Sequence, residues 1–292
     1  GANPLIANLG DPSTSHSRLT LAQAFNSLGT TLFPPVGALI ILGSMNKVDP
    51  AALAPAERAT FLIEEAAVIG HAYITIAVIL LAVALFFFLR CSAITGGLGA
   101  SASLAGSFAL LRRKRLAGGV AALFLYVGAE VAIGSMLVNY LTQDRVMGLS
   151  EQMAGTMIAL YWGGAMVGRF VGAVLLRRFR PGLVLGAVCI GAVMLIALSA
   201  LSAGAVAGYA ILAVGLMNAI MFPTIFSLGI EGLGEQTPQG SGLLCMAIVG
   251  GALIPLLTGA VADATSLAAA LAIPAACYLL IAVYGWSARN PA

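Results

Sequence analysis

Three polar side chains share one face of a long apolar stretch near the start of the sequence. Gln23 and Asn26 lie three residues apart in RLTLAQAFNSLGTTLFPPVGALI, and Thr30 follows one helical turn later. Side chains three or four residues apart are neighbours on a helix surface. An amide in hydrocarbon is costly unless it finds a hydrogen-bond partner. The spacing therefore indicates either a water-accessible cavity or a polar contact between helices.

A single carboxylate lies inside an apolar run, at the centre of YVGAEVAIGSMLVNYL. This residue is Glu130, and Tyr126 shares its helix face one turn earlier. A charged carboxylate at the middle of a bilayer costs about 2.5–3.5 kcal/mol on insertion scales, so such a residue is a functional candidate by default. The alternative is a neutral carboxyl group that is hydrogen-bonded to a neighbouring helix.

Aromatic and amide residues in later apolar runs complete the candidate set. Trp162 follows Tyr161 in LYWGGAMVGRF, near the middle of its run, where an indole ring offers a flat face to a sugar ring. Tryptophan is also typical of membrane interfaces. Asn218 and Phe222 lie four residues apart in GLMNAIMFPTIFSLG, and Pro223 can kink that helix. For Asn218 the alternative role is a polar contact between helices.

The composition indicates a membrane protein, in which these candidate residues lie on membrane-spanning helices. The chain of 292 residues is 60% hydrophobic and 9% charged, against about 25% charged residues in soluble domains. Lipid leaves each backbone polar group to be satisfied within its own segment, which favours helices. Short alternating segments, typical of a membrane β-barrel, are not seen. Eight runs reach spanning length, at residues 19–42, 66–89, 116–141, 153–176, 183–201, 206–230, 243–261 and 267–286.

Basic residues orient these spans. If the segment before Arg18 is cytoplasmic, ten basic residues fall in inside segments and three in outside segments, with Arg169 inside a span. Cytoplasmic loops carry an excess of lysine and arginine, so this assignment fits, and it makes the C-terminus cytoplasmic.

The motifs of enzymes are missing from the sequence. It contains no H-E-x-x-H, G-x-S-x-G or G-x-x-x-x-G-K pattern, and its four cysteines have no metal-binding or redox spacing. Glu130 has no second membrane carboxylate with which to form an aspartyl-type protease pair. The basic cluster RRKR at residues 112–115 is too short to indicate nucleic acid. We therefore expect no enzymatic activity, no cofactor, no metal and no nucleic-acid partner.

Two pairs of motifs indicate an internal repeat. P-x-I-x-x-L-G occurs at residues 4–10 and 223–229, and G-x-x-L-x-P occurs at residues 29–34 and 250–255. The offsets are 223 − 4 = 219 and 250 − 29 = 221, so the order is kept. Parallel repeats of this kind are found in one large class of transporters. The later copy lies on the fourth span after the basic cluster at residues 112–115, which predicts about three further helices ahead of Gly1.

Five segments carry a resemblance to a known family: ANPLIANLG, SHSRLTLAQAFNSLGTT, YVGAEVAIGSMLVNYL, YWGGAMVGRF and FPTIFSLGIEGLG. Together they resemble the fucose permease-like sugar symporters of the major facilitator superfamily, and the glucose/galactose transporter branch in particular. The resemblance implies an all-α bundle of two parallel six-helix halves, here without the first three and a half helices. It assigns residues 1–89 to the first half (end of helix 4, helices 5 and 6), 90–115 to a cytoplasmic basic loop, and 116–292 to helices 7–12.

The resemblance also implies a function. In the family the amides that match Gln23 and Asn26 lie in the sugar cavity, Phe222 matches a tyrosine of fucose permease, and Glu130 matches a glutamine. The acidic residues that couple proton movement would precede Gly1. We therefore expect a bacterial inner-membrane symporter that moves a glucose- or galactose-like hexose with H⁺ or another cation by alternating access. The expected substrate-binding residues are Gln23, Asn26, Glu130, Trp162, Asn218 and Phe222. A sugar sensor, a scaffold or an inactive transporter fragment is the alternative, and a passive channel is a third.

Overall fold

The computed structural model describes residues 14–43, 55–94 and 104–290, together with Ile6 and Asp11. The repeat motif predicted at residues 4–10 and the side chain of Thr30 therefore lie outside the described part. The chain divides into two compact units, one formed by Gly1–Thr31 with Ser101–Ala292 and the other by Leu32–Ala100. The domain boundaries expected at residues 89 and 115 stay a prediction.

Every described element is helical, and each of the eight predicted apolar runs lies in one helix or in consecutive helices. The first two runs lie in α1 (Ser15–Gly43) and α2 (Pro55–Ile94). A short helix, α3 (Leu104–Ala109), and a 3₁₀ turn precede the remaining runs. The later helices are α4 (Lys114–Leu141), α5 (Glu151–Arg178), α6 (Pro181–Leu201), α7 (Gly204–Asn218), α8 (Met221–Ile230), α9 (Thr237–Met246), α10 (Gly250–Ala264), α11 (Leu267–Ala270) and α12 (Ala272–Ser287). Within the described residues, six helical stretches between Lys114 and Ser287 are long and apolar enough to cross a membrane.

Local signals set where α5 and α6 begin and end. The Ser150 side chain accepts a hydrogen bond from the Met153 N–H at 3.3 Å and so caps α5. The last turn of α5 carries Arg177 and Arg178, which suit the negative end of the helix dipole. Pro181 opens α6, where its missing N–H leaves no bond unmade. The connection between α5 and α6 is therefore short and basic.

Glycines bring the helices into unusually close contact. A Cβ atom added at Gly215 of α7 would lie 2.1 Å from the Tyr161 carbonyl oxygen of α5. One added at Gly250 would lie 2.0 Å from the Phe124 carbonyl oxygen of α4. Small residues at such crossings let helix backbones approach in lipid, where packing drives association. The Gly215 contact fixes α7 against the part of α5 that carries Tyr161.

The sixth predicted run is broken rather than continuous. α7 ends at Asn218 and α8 begins at Met221, so the helix is interrupted at Ala219 and Ile220. Pro223 has no N–H and cannot bond the carbonyl of Ala219, four residues earlier. The kink expected at the proline is thus a break that leaves a backbone carbonyl to be satisfied from outside its own helix.

Candidate functional site

Asn218 lies at the end of α7 and joins four helices. Its side chain is fully buried, its Nδ2 donates to the Tyr161 hydroxyl of α5, and its Oδ1 accepts from the Tyr278 hydroxyl of α12, both at 2.7 Å. The Tyr126 hydroxyl of α4 donates to the Asn218 backbone carbonyl at 3.2 Å. These contacts favour a role in holding the helices together, while direct substrate binding by Asn218 stays a prediction.

Glu130 lies beside this tyrosine cluster on α4 and is half-buried. The Tyr126 hydroxyl is within reach of its carboxyl group for a side-chain hydrogen bond. The Tyr161 hydroxyl contacts its backbone carbonyl at 3.4 Å. Arg169 of α5 acts on the carboxyl group electrostatically. A carboxyl group, a guanidinium and several hydroxyls thus meet inside a helical bundle, a combination suited to polar ligands.

Arg169 satisfies the carbonyl that the broken helix leaves open. Its Nε donates to the Ala219 carbonyl at 3.1 Å, and its Nη1 donates to the Gln23 carbonyl of α1 at 3.3 Å. A charged side chain inside a membrane bundle is expected to pair with backbone carbonyls or other charges, and Arg169 bonds two carbonyls. It therefore ties α1 to the break between α7 and α8, next to Glu130.

Two of the predicted residues present aromatic surface. Phe222 is half-buried, stacks on Phe226 with ring centroids 6.1 Å apart, and meets the edge of Tyr126 at 6.5 Å. Trp162 packs edge-on against Tyr161 at 5.1 Å, and 40% of its surface remains accessible. The exposed indole face can contact a ligand, as a sugar-stacking role requires.

The two amides of α1 differ in exposure. Gln23 is half-buried and Asn26 is exposed, although they share a helix face as predicted. The Arg169 contact brings the Gln23 backbone close to the Glu130 region. Near it, Phe25 meets Phe170 of α5 edge-on at 6.1 Å. The structure thus places α1 against α5 at this level.

Sequence reasoning gave too little weight to three residues of this site. Tyr278 was not singled out, because a tyrosine in an apolar run reads as ordinary core. Tyr161 was noted only as the neighbour of Trp162, and Arg169 only as a basic residue inside a span, with no partner or role assigned. The usable signal was Arg169 itself, since an arginine well inside an apolar run needs a partner.

A second polar region of the molecule is a basic cleft of about 980 Å³, which we call the basic end. It is lined by Arg115, Arg177, Arg178, Arg180 and Arg289, among others. Arg115 forms a salt bridge with Glu231.

His16, in the first turn of α1 and ahead of the apolar run, also lines the basic end. Its Nδ1 is hydrogen-bonded to Ser227 Oγ of α8. Burial, and secondarily the Arg115 guanidinium, lowers the pKa of His16 from 6.5 to about 4. The imidazole is therefore neutral at physiological pH and acts as a hydrogen-bonding group between α1 and α8.

Sequence comparisons identify relatives of this chain. The Major Facilitator Superfamily model matches residues 1–246. A glucose/galactose transporter of Brucella abortus is 43% identical over 97% of this chain and 66% of the relative. A putative glucose/galactose transporter of Helicobacter pylori is 38% identical over 96% and 67%. The L-fucose-proton symporter of Escherichia coli is 33% identical over 97% of this chain. The chain spans about two thirds of the length of these relatives.

The fold has a counterpart among solved structures. The crystal structure of the transporter FucP in the outward conformation matches with a TM-score of 0.88 and 30% identity, over 99% of this chain and 72% of that one. This match confirms the predicted all-α membrane bundle of the major facilitator type. The chain therefore belongs to the Major Facilitator Superfamily, as a multi-pass membrane protein related to glucose/galactose transporters and fucose–proton symporters.

Proposed function

We propose that this protein carries out secondary active transport of a glucose- or galactose-like hexose, coupled to H⁺ or another cation, by alternating access in the bacterial inner membrane. The names of its relatives support the sugar, and the superfamily is one of transporters rather than enzymes. The observation that carries the proposal is the broken helix between α7 and α8, whose Ala219 carbonyl is bonded by Arg169 of α5 in the neighbourhood of Glu130. Discontinuous membrane helices are typical of transporter binding sites.

Each predicted residue has a distinct part in this proposal. Gln23, Asn26 and Glu130 bind sugar hydroxyls. The oxygens of amides and carboxylates accept hydrogen bonds from hydroxyls, and the amide nitrogens donate to them. The exposed face of Trp162 and the half-buried ring of Phe222 contact the apolar faces of the sugar ring.

Asn218 contributes mainly by holding Tyr161 and Tyr278 in place, since its amide already bonds both hydroxyls. The basic end is cytoplasmic in this proposal, and so is the C-terminus, in line with the positive-inside bias.

Counterflow of labelled sugar in proteoliposomes tests the proposal. We expect glucose or galactose inside the vesicles to accelerate entry of the labelled sugar. Glu130→Gln should retain the fold but change sugar affinity or its pH dependence, because it removes the titratable carboxyl group. Glu151→Gln, at the exposed start of α5, is the matched control and should behave as the wild type. Equal behaviour of both variants would remove Glu130 from the site.

A sugar sensor or scaffold that does not transport is the second candidate. It predicts saturable sugar binding to the purified protein without counterflow. Quenching of Trp162 fluorescence by sugar provides the binding measurement, and Trp162→Phe is its control. Binding without exchange in sealed vesicles would favour the sensor, and exchange would exclude it.

A further inference from the structure

A groove lies between α5, α6 and α7, next to the basic end. Its volume is about 630 Å³, and two arginines of the α5–α6 connection, Arg178 and Arg180, line it. The remaining wall is apolar and is formed by Leu175, Phe179, Leu183, Val184, Val188 and Met217, with Ala187 between them. The groove therefore combines a cationic part with a hydrocarbon-like part.

The helix that forms one wall faces lipid. α6 buries side chains along one stripe only, including Leu185, Cys189 and Ala192. Its other side is exposed and apolar, with Ile190 and Met194 at 43% and 65% accessibility. An exposed apolar face on a helix of spanning length is stable only against hydrocarbon. The groove is thus open to the bilayer rather than to an internal cavity.

The two arginines lack partners within the described part of the chain. Both Arg178 and Arg180 are exposed, and neither guanidinium group has a hydrogen bond or ion pair to described residues. The preceding residue, Arg177, differs because its Nε donates to Ser17 Oγ at 3.1 Å. In the adjoining basic end the carboxylate of Glu231 is already paired with Arg115. The positive charge at the mouth of the groove is therefore not neutralised by these neighbours.

We propose that this groove binds one anionic phospholipid. Its phosphate lies against Arg178 and Arg180, because planar guanidinium groups match phosphate oxygens in a bidentate manner. One acyl chain lies along the apolar wall from Leu175 to Met217. Ordinary positive-inside anchoring accounts for arginines near a membrane surface, but it requires neither an apolar groove beneath them nor a selective headgroup.

Native mass spectrometry of the purified protein tests this site. The protein is incubated with phosphatidylglycerol and phosphatidylcholine of identical acyl chains. We expect one phosphatidylglycerol to be retained in preference to phosphatidylcholine. Arg178→Gln with Arg180→Gln should weaken phosphatidylglycerol binding about 30-fold, which is the usual contribution of two basic residues near anionic lipid. The double variant should bind the two lipids equally.

A control variant with the same change of charge distinguishes binding in the groove from a general effect of the protein's positive charge. Arg112→Gln with Lys114→Gln removes two exposed charges outside the groove and should leave lipid selectivity unchanged. An equal loss in this control would overturn the proposal, because it would show that only net charge matters.

The apolar wall has a test of its own, which remains informative if the double arginine variant does not fold. Ala187→Trp fills the groove from an exposed position and should reduce retention of phosphatidylglycerol while both arginines remain. Unchanged retention in this variant would contradict the proposal. Soluble glycerol phosphate should not compete at millimolar concentration, and effective competition would show a free phosphate site instead of a lipid site.

Discussion

Replacing Asn218 by alanine should destabilise the protein through two tyrosines rather than through the sugar. The substitution removes the amide that bonds the Tyr161 and Tyr278 hydroxyls, each at 2.7 Å, in a fully buried position. Hydrogen bonds between membrane helices contribute about 0.6 kcal/mol on average, and up to about 1.7. A hydroxyl left buried without a partner costs about 1–3 kcal/mol. We therefore expect the free energy of unfolding to fall by about 1–3 kcal/mol.

A double-mutant cycle isolates the contact that matters. Asn218→Ala combined with Tyr278→Phe should show a coupling energy of about 0.6–1.7 kcal/mol, since both single changes remove the same hydrogen bond. Tyr140→Phe is the matched control, because that buried tyrosine donates to the Ser199 carbonyl at 3.0 Å instead. Its effect should add to that of Asn218→Ala within about 0.5 kcal/mol.

Unfolding in mixed micelles of mild detergent and dodecyl sulfate gives the stabilities, and sugar binding to the folded fraction is measured alongside. Wild-type stability with lost sugar binding in Asn218→Ala would contradict this prediction, because Asn218 would then be a direct ligand. A coupling energy between Asn218→Ala and Tyr140→Phe as large as that between Asn218→Ala and Tyr278→Phe would contradict it as well.

Three further outcomes follow from individual contacts. Arg169→Lys should lower transport activity and stability together, since one ammonium cannot reproduce both guanidinium bonds, and activity with a melting curve of the purified protein measures both. Gly215→Ala should destabilise by about 1–3 kcal/mol through overpacking, whereas Gly163→Ala, which meets no atom within 4 Å, should be tolerated in the same thermal-unfolding assay. The depressed pKa of His16 makes the folded state bind fewer protons than the unfolded state below pH 6.5, so its contribution to stability is complete above about pH 6.5 and decreases as the pH falls toward about 4. His16→Gln should flatten this part of the stability profile, and an unchanged profile would contradict the assignment.

Much of the fold could be predicted because lipid imposes simple constraints. A run of about 20 apolar residues has few alternatives to a helix, and each of the eight predicted runs lies in one helix or in consecutive helices. Boundaries were less accurate where polar residues continue a helix. The run expected from residue 243 belongs to a helix that begins earlier, at Thr237. Pro238 favours this earlier start, because proline is well placed in the first turn of a helix.

The candidate site was only half visible in the sequence. Glu130, Asn218 and Phe222 were found because a polar or aromatic residue in an apolar run stands out. Tyr278 did not stand out, since its partner Asn218 lies on another helix, 60 residues away in the chain. Periodicity within one helix gives no information about which face meets which neighbour. That information comes from close crossings such as the one at Gly215, which only the assembled bundle shows.

Pro223 leaves a backbone carbonyl without a donor in its own helix, and Arg169 of another helix supplies that donor. The proline predicts from chemistry alone that the carbonyl of Ala219 has no bond within its helix. In lipid that carbonyl must be satisfied, so a donor from another helix is required. Arg169 is such a donor, and the same guanidinium reaches the carbonyl of Gln23 and acts on Glu130. An intramembrane arginine with two carbonyl partners and one carboxyl neighbour therefore links the helix break to the polar face of α1. Any movement of α1 relative to the break between α7 and α8 must change these bonds, because the same guanidinium holds a carbonyl on each side.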